Sequence, residues 1–345
     1  MVEDTQPHQP TTTVRRGFIT SSDVAERAGV SRSAVSRAFT PGASVSPDVR
    51  RKVLAAADEL GYRVNRLARG LISARSNLVG LVCADLETPF SSALLLRTTA
   101  ALAARGLHAL VFAFGRDAAD AREAFLRILE FRVEAIVVMS GEPPAAIVGD
   151  CLANGVKLVM VDHAGIEDDV FNVNSDNYGG GALAAGRFAD AGLQRLAVIG
   201  GIDASAAQQR RVAGFVERAA VLGRSVRVIE AAASGYEGGA AGAAALFSAP
   251  SETFPDGVFC ANDVIAAGFM DAARDGFGLT IPDDVSVIGF DDNPHADWAA
   301  YRLTTLRQCT QDIARAIVQA IRDVGQTSAL VTTGVGLVER DSVRR

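Results

Sequence analysis

From Leu78 onward, short unbroken apolar runs recur along the chain, and most end in a polar turn. NLVGLVCAD, HALVFAFG, EAIVVMS, VKLVMVDH, LAVIGG, VRVIEA, DGVFCAND and VSVIGFDD are such runs. Between them lie Ala-, Leu- and Arg-rich stretches with helical spacing, such as SSALLLRTTAALAARG and RVAGFVERAAVLG. A run that is apolar throughout suits a strand buried on both faces, as in a parallel sheet. Its alternation with helices predicts an α/β fold with parallel sheets and right-handed crossovers. At least eight strands exceed one comfortable sheet, so two lobes are expected. The break is expected near Asn174–Asn177, where VNSDNYGGG follows a short strand, and GVGLVERDSVRR ends one further strand with a basic tail.

The chain before Leu78 has a different texture. SSDVAERAGVSRSAVSRAF reads as two short helices. Val24, Ala25 and Ala28 share one face of the first, and Val35, Ala38 and Phe39 one face of the second. Gly29 suits a helix C-terminus, and Ser31 an N-cap. Arg32, Ser33, Ser36 and Arg37 are left on the outer face of the second helix, the arrangement of a helix-turn-helix that enters a major groove. A third helix follows Ser46 and Pro47, with Val49, Val53, Leu54, Ala57 and Leu60 as its apolar stripe and Gly61 as its stop. The segment YRVNRLARGLISARS has Asn65 as a possible cap and Leu71 among arginines, the composition of a minor-groove wedge or of a plain linker.

Charge separates these two parts. Residues 1–76 carry twelve basic and seven acidic side chains, a net of +5 within a chain whose total is −6. A basic head on an acidic body suits a head that meets nucleic acid. Four cysteines and four histidines are scattered without metal-ligand spacing, so reduced thiols, no metal and a cytoplasmic location are expected. No run of about twenty apolar residues suggests a membrane span. Residues 1–17 lack the apolar core of a signal peptide and read as a disordered tail.

In doubly wound sheets ligands meet the carboxyl ends of strands. Here those ends carry Asp85, Asp162 with His163, Asn262 with Asp263, and Asp291 with Asp292, and Arg211 opens a helix after GGIDASAAQQ. Such groups hydrogen-bond the hydroxyls of polar metabolites, although Asp and Asn after strands are also ordinary turn formers and caps. No nucleophile, metal set, P-loop or complete dinucleotide fingerprint accompanies them, so neither an enzyme nor a cofactor is indicated.

DVAERAGVSRSAVSRAF and VSPDVRRKVLAAADELGYRVNRLARGL resemble the head and hinge of the LacI/GalR family of bacterial transcription regulators. DLETPF, QQRRVAGF, VFCANDVIAAG, VSVIGFDD and LTTLRQ resemble, in order, that family's two-lobed, periplasmic-binding-protein-like core. The resemblance implies a homodimer on a near-palindromic double-stranded operator. It implies DNA contacts from Ser31, Arg32, Ser33, Ala34, Ser36 and Arg37, joined by Asn65, Arg66 and the wedge Leu71. It also implies a sugar-like effector held by Phe90, Asp162, Arg211, Asn262, Asp291 and Gln308. The expected division is a head at 18–63, a hinge at 64–76 and a core at 77–345. Within the core, one lobe takes about 77–175 and 307–330, the other about 176–306 and 331–345. Gly70 departs from the pattern and weakens the hinge helix by roughly 1 kcal/mol relative to Ala. ASGYEGG lacks the ligand-stacking aromatic common in that loop, so the effector is expected to differ from a common hexose. A solute-binding protein or a sugar-modifying enzyme on a related scaffold are the rival readings.

Overall fold

The structure is a computed structural model. It describes residues 18–40, 42–64, 76–84, 86–113, 118–140, 145–163, 169–201, 205–231, 235–248, 250–323 and 328–345. The expected tail, the hinge residues Asn65, Arg66, Gly70 and Leu71, and the strand-end Asp85 lie outside the described residues. The chain forms two compact units, Met1–Ser76 and Asn77–Arg345.

The first unit holds helices α1 (Ser21–Ala28), α2 (Arg32–Ala38) and α3 (Pro47–Leu60). Thr20 caps α1 in a reciprocal box with Asp23, and Gly29 ends it at φ 66°. Ser31 caps α2 by accepting from the Ala34 amide at 3.2 Å. Ser46 and Pro47 start α3, and Gly61 stops it at φ 65°. Val24, Val35 and Val53 are fully buried at the centre, with Phe39 and Tyr62 packed at the side. The Arg50 guanidinium on α3 donates to the Ala38 carbonyl at 2.6 Å and so pins the end of α2. Leu54, expected in the apolar stripe, is exposed, and Ala56 takes its place. Position 54 lies about 100° around the helix from Val53, beyond the narrow face that two short helices can cover.

The second unit contains two six-stranded sheets. The first has the order β11-β5-β4-β3-β1-β2, from β1 (Leu78–Cys83), β2 (His108–Ala113), β3 (Ala135–Val138), β4 (Lys157–Val161), β5 (Val170–Ser175) and β11 (Ala329–Thr333), all parallel. The second has the order β12-β10-β9-β8-β6-β7, from β6 (Arg195–Gly201), β7 (Ser225–Ala231), β8 (Gly257–Cys260), β9 (Ser286–Asp291), β10 (Thr304–Gln308) and β12 (Val335–Val338). Only β12 pairs antiparallel, to β10. Central strands such as β1 are buried on both faces, whereas β2 and β7 at the edges are exposed or half-buried along most of their length. Helices α4 (Pro89–Ala103), α5 (Ala118–Glu130) and α6 (Ala145–Ala153) belong to the first lobe. Helices α7 (Asn177–Asp190), α8 (Ala206–Val221), α9 (Tyr236–Phe247) and α10 (Asp263–Asp271) belong to the second. Helix α11 (Thr310–Arg322) returns to pack on the first sheet through Ile313 and Ile317.

The chain therefore crosses between lobes three times, after β5, after β10 and between β11 and β12. The expected crossings at 306/307 and 330/331 move to follow Gln308 and Thr333, because the ladders hold those residues in their strands. The single further strand expected at the end is two strands in different sheets, on either side of Gly334. The expected basic tail is built into the second lobe: Val287 donates to the Ser342 carbonyl at 2.7 Å, and Ser342 is buried.

Candidate DNA face and effector cleft

Helix α2 carries the candidate DNA face of the first unit. Ser31, Arg32, Ser33, Ser36 and Arg37 are exposed, and Val35 and Ala38 fill the core beneath. Neither arginine makes an ion pair with a described residue, so both guanidinium groups stand ready for bases or phosphates. The Ser31 and Ser33 hydroxyls lie 2.9 Å apart beside the N-terminus of α2, where the amide dipoles favour an anion. Ala34 corrects the expected set. It is 9% exposed and faces the head's core, because the α2 phase puts it beside Val35 and Ala38.

In the second unit, four of the six expected effector residues belong to one hydrogen-bonded network. Asp162 follows β4 in a left-handed conformation, φ 53°. Its Oδ1 accepts from the Ser175 amide at 2.7 Å and from Asn177 Nδ2 at 2.9 Å. Asn177 Oδ1 in turn accepts from Arg211 Nε at 2.8 Å. Arg211 is 5% exposed, and its guanidinium carbon stands over the Phe290 ring, 3.7 Å from its centre. One Nη donates to the Ala261 carbonyl at 2.8 Å and faces Asp291 Oδ1 at 3.3 Å. Gln308 Nε2 completes the line by donating to Asp291 Oδ1 at 2.7 Å. Asn262 adjoins it: its side chain caps α10 through the Ile265 amide at 2.7 Å, and the carbonyl that Arg211 holds is that of its neighbour Ala261.

Two packing features fix this arrangement. Helices α7 and α8 touch backbone to backbone, for a Cβ on Gly181 would stand 2.0 Å from the Arg211 carbonyl oxygen. Asp291 sits at φ 113°, where a residue with a side chain is strained, and Asp292 follows at φ 55°. Strain of that kind persists where the surroundings over-determine a residue, here at a strand end that turns its carboxylate toward Arg211.

Burial dominates the electrostatics. It raises the Asp162 carboxyl above its ordinary range, against the pull of the Ser175 amide, Arg211 and Asn177. It pushes Asp291 up to about 6, with Arg211 and Gln308 opposing and Asp162 adding to the rise. Asp263 is raised well above its ordinary value, first by burial and then by Asp291. It accepts from the Thr305 hydroxyl at 2.5 Å and the Asn293 amide at 2.7 Å, and so ties α10 to β10 and to the turn after β9.

Between the lobes lies a cavity of about 490 Å³. Pro89, Phe90 and Leu96 of the first lobe form an apolar wall, and Asp291, Arg307 and Gln308 of the second a polar one. Phe90, Asp291 and Gln308 thus line it, whereas Asp162, Arg211 and Asn262 stand outside its lining. Asn177 was not among the residues expected from sequence, nor were Arg307, Arg340 and Asn293. The signal for Asn177 was a polar residue at the start of a Gly-rich helix, in the segment that changes lobes. Asp292 accepts from Arg307 Nε and from an Arg340 Nη, each at 2.6 Å. Among the described residues no group of His, Cys, Asp and Glu could hold a metal ion, and no helix is long and apolar enough to cross a membrane.

Comparison with known proteins agrees with both units. Residues 20–65 match the model of the bacterial regulatory proteins of the lacI family, and residues 185–343 that of a periplasmic binding protein-like domain. The HTH-type transcriptional regulator CelR of Thermobifida fusca is 30% identical, over 91% of this chain and 94% of that protein. The HTH-type transcriptional regulator MalR of Streptomyces coelicolor is 31% identical, over 89% and 91%. A CelR–cellobiose complex superposes with a TM-score of 0.68 at 27% identity, covering 94% of this chain and 99% of that one. The lac repressor dimer bound to operator and the anti-inducer ONPF gives 0.83 at 23% identity, over 95% and 100%, a likeness of fold alone.

Proposed function

The chain belongs to the LacI family of bacterial transcription regulators, and we propose that it is a repressor that binds a near-palindromic operator as a homodimer and is switched by a sugar-like effector in the cleft between its lobes. It is a regulator rather than an enzyme, as its relatives are. Arg32, Ser33 and Arg37 read base edges in the major groove, while Ser31 and Ser36 meet the backbone. In the hinge, Asn65 and Arg66 hold the DNA and Leu71 wedges into the central step. In the core, Phe90 offers an apolar face to the effector, and Asp291, Gln308, Asp162, Arg211 and Asn262 supply or position the polar contacts. No cofactor or metal takes part, and the protein works in the cytoplasm on DNA.

The observation that carries this reading is the line Asp162–Asn177–Arg211–Asp291–Gln308. It starts at a strand end of the first lobe, passes the first crossing and ends at the second. A ligand bound to its members favours one angle between the lobes over another, and its effect on DNA equals its differential affinity for the two states. The cellobiose bound to CelR supports a saccharide as the class of effector.

The DNA half is tested by selecting duplexes from a random pool with the full chain, then with Arg32→Ala and Arg37→Ala. The expected site is an inverted repeat. Each variant is expected to lose about 1–3 kcal/mol of discrimination at one position per half-site. A uniform loss across all sequences would instead make these arginines phosphate contacts.

A further inference from the structure

We infer that the cleft is built for a ligand without negative charge that offers hydroxyl or amine hydrogens, and that it excludes sugar phosphates and sugar acids. The inference rests on reading the cleft as the effector site. The first ground is the charge inventory. Arg211 is the cation at the centre of the network, and its Nε and one Nη are already engaged by Asn177, the Ala261 carbonyl and Asp291. Two carboxylates, Asp162 and Asp291, face this single guanidinium. Arg307, on the polar wall, is neutralised by Asp292. Asp292 is also held by Arg340, Arg340 also meets Asp297, and Arg302 meets Asp297 and Asp341. That outer cluster pairs three arginines with three aspartates, so among the described residues no surplus cation lines the cavity to meet an arriving anion.

The second ground is an unpartnered acceptor. Gln308 is 3% exposed and lines the cavity. Its Nε2 is committed to Asp291, which as a carboxylate can only accept, so the amide cannot flip. Its Oε1 is buried without a hydrogen-bond partner. Asn293, which also lines the cavity, has a buried donor, Nδ2, that likewise lacks one. A hydroxyl group has the chemistry for either, since it can donate to Gln308 Oε1 and can accept from Asn293 Nδ2. An ionised phosphate or carboxylate only accepts, and would set its charge against the Gln308 oxygen and the Asp291 carboxylate.

The test follows thermal unfolding of the full chain with glucose, glucose 6-phosphate, cellobiose, cellobionate and inorganic phosphate at matched ionic strength. The proteins are wild type, Asp162→Asn/Asp291→Asn, and the same pair with Arg211→Met. The anions are expected to leave wild type no more stable than chloride does. Phosphate is expected to raise the melting temperature of the double variant, where Arg211 is uncompensated, and to lose that effect with Arg211→Met. If the double variant does not fold, Asp162→Asn alone is expected to show the same gain in weaker form. Protection of wild type by glucose 6-phosphate or cellobionate above their neutral counterparts, or no gain in a folded variant, overturns the inference. Operator binding measured alongside separates the two readings. A neutral saccharide that protects the chain yet leaves operator affinity unchanged counts against the effector reading and leaves the charge class standing.

Discussion

At the scale of single residues, Asp291 sets a pH dependence whose sign follows from its environment. Its folded value of about 6 lies above the ordinary value of 3.8. The protonated form therefore favours the folded state, and that contribution is complete below pH 4 and lost as pH rises through about 6. Relative to Asp291→Asn, the wild-type core is expected to lose about 2–3 kcal/mol between those limits and then level off. Urea unfolding of both proteins across that range checks it; parallel curves would show that the carboxyl is not strained by burial. Asn262 and Asp291 were singled out in the sequence because they sit at strand ends, and Arg211 because it lies early in a helix after a strand, all three in stretches that resemble a known family. Asn177 was not, since its partners come from β4 and α8 and meet only once the chain has changed lobes. Ala34 was misjudged for a smaller reason, as one residue of helix phase moves a side chain from groove to core.

At the scale of elements, the helix boundaries of the head followed from local chemistry. Thr20, Ser31, Ser46 and the two positive-φ glycines do what short-range rules require of them. Ser31→Ala is expected to cost about 1 kcal/mol of head stability by freeing the Ala34 amide. An unchanged melting curve would show that the cap adds nothing. The central strands were largely legible, for runs buried on both faces leave little choice, whereas β10, with its polar TTLRQ, was not read as a strand. What the sequence hid was the pairing of the last two strands, which follows from where the sheets lie rather than from any local pattern. The contact between α7 and α8 was hidden too. Gly181→Ala must push α7 off the Arg211 carbonyl, with an expected loss of about 1–3 kcal/mol and a weaker ligand response. Denaturant titration with and without a bound saccharide reads both effects; wild-type behaviour in both would mean that the helices separate freely.

At the scale of the whole molecule, the division of labour matches the division of charge. A basic head presents on one helix two arginines that pair with no described residue, and an acidic core holds its polar network between two lobes. The lobes share three crossings, two of which the network reaches, so on the proposed reading a ligand there is expected to act on the angle between sheets. The most direct measurement is the affinity of the full chain for its selected operator, by fluorescence anisotropy. It is taken without ligand and with the neutral saccharide that most raises the core's melting temperature. Operator affinity is expected to change with the saccharide in wild type. In Arg211→Met the ligand-free affinity is expected to persist while the change disappears. Equal operator affinity with and without a bound saccharide in wild type would contradict the link between cleft and DNA.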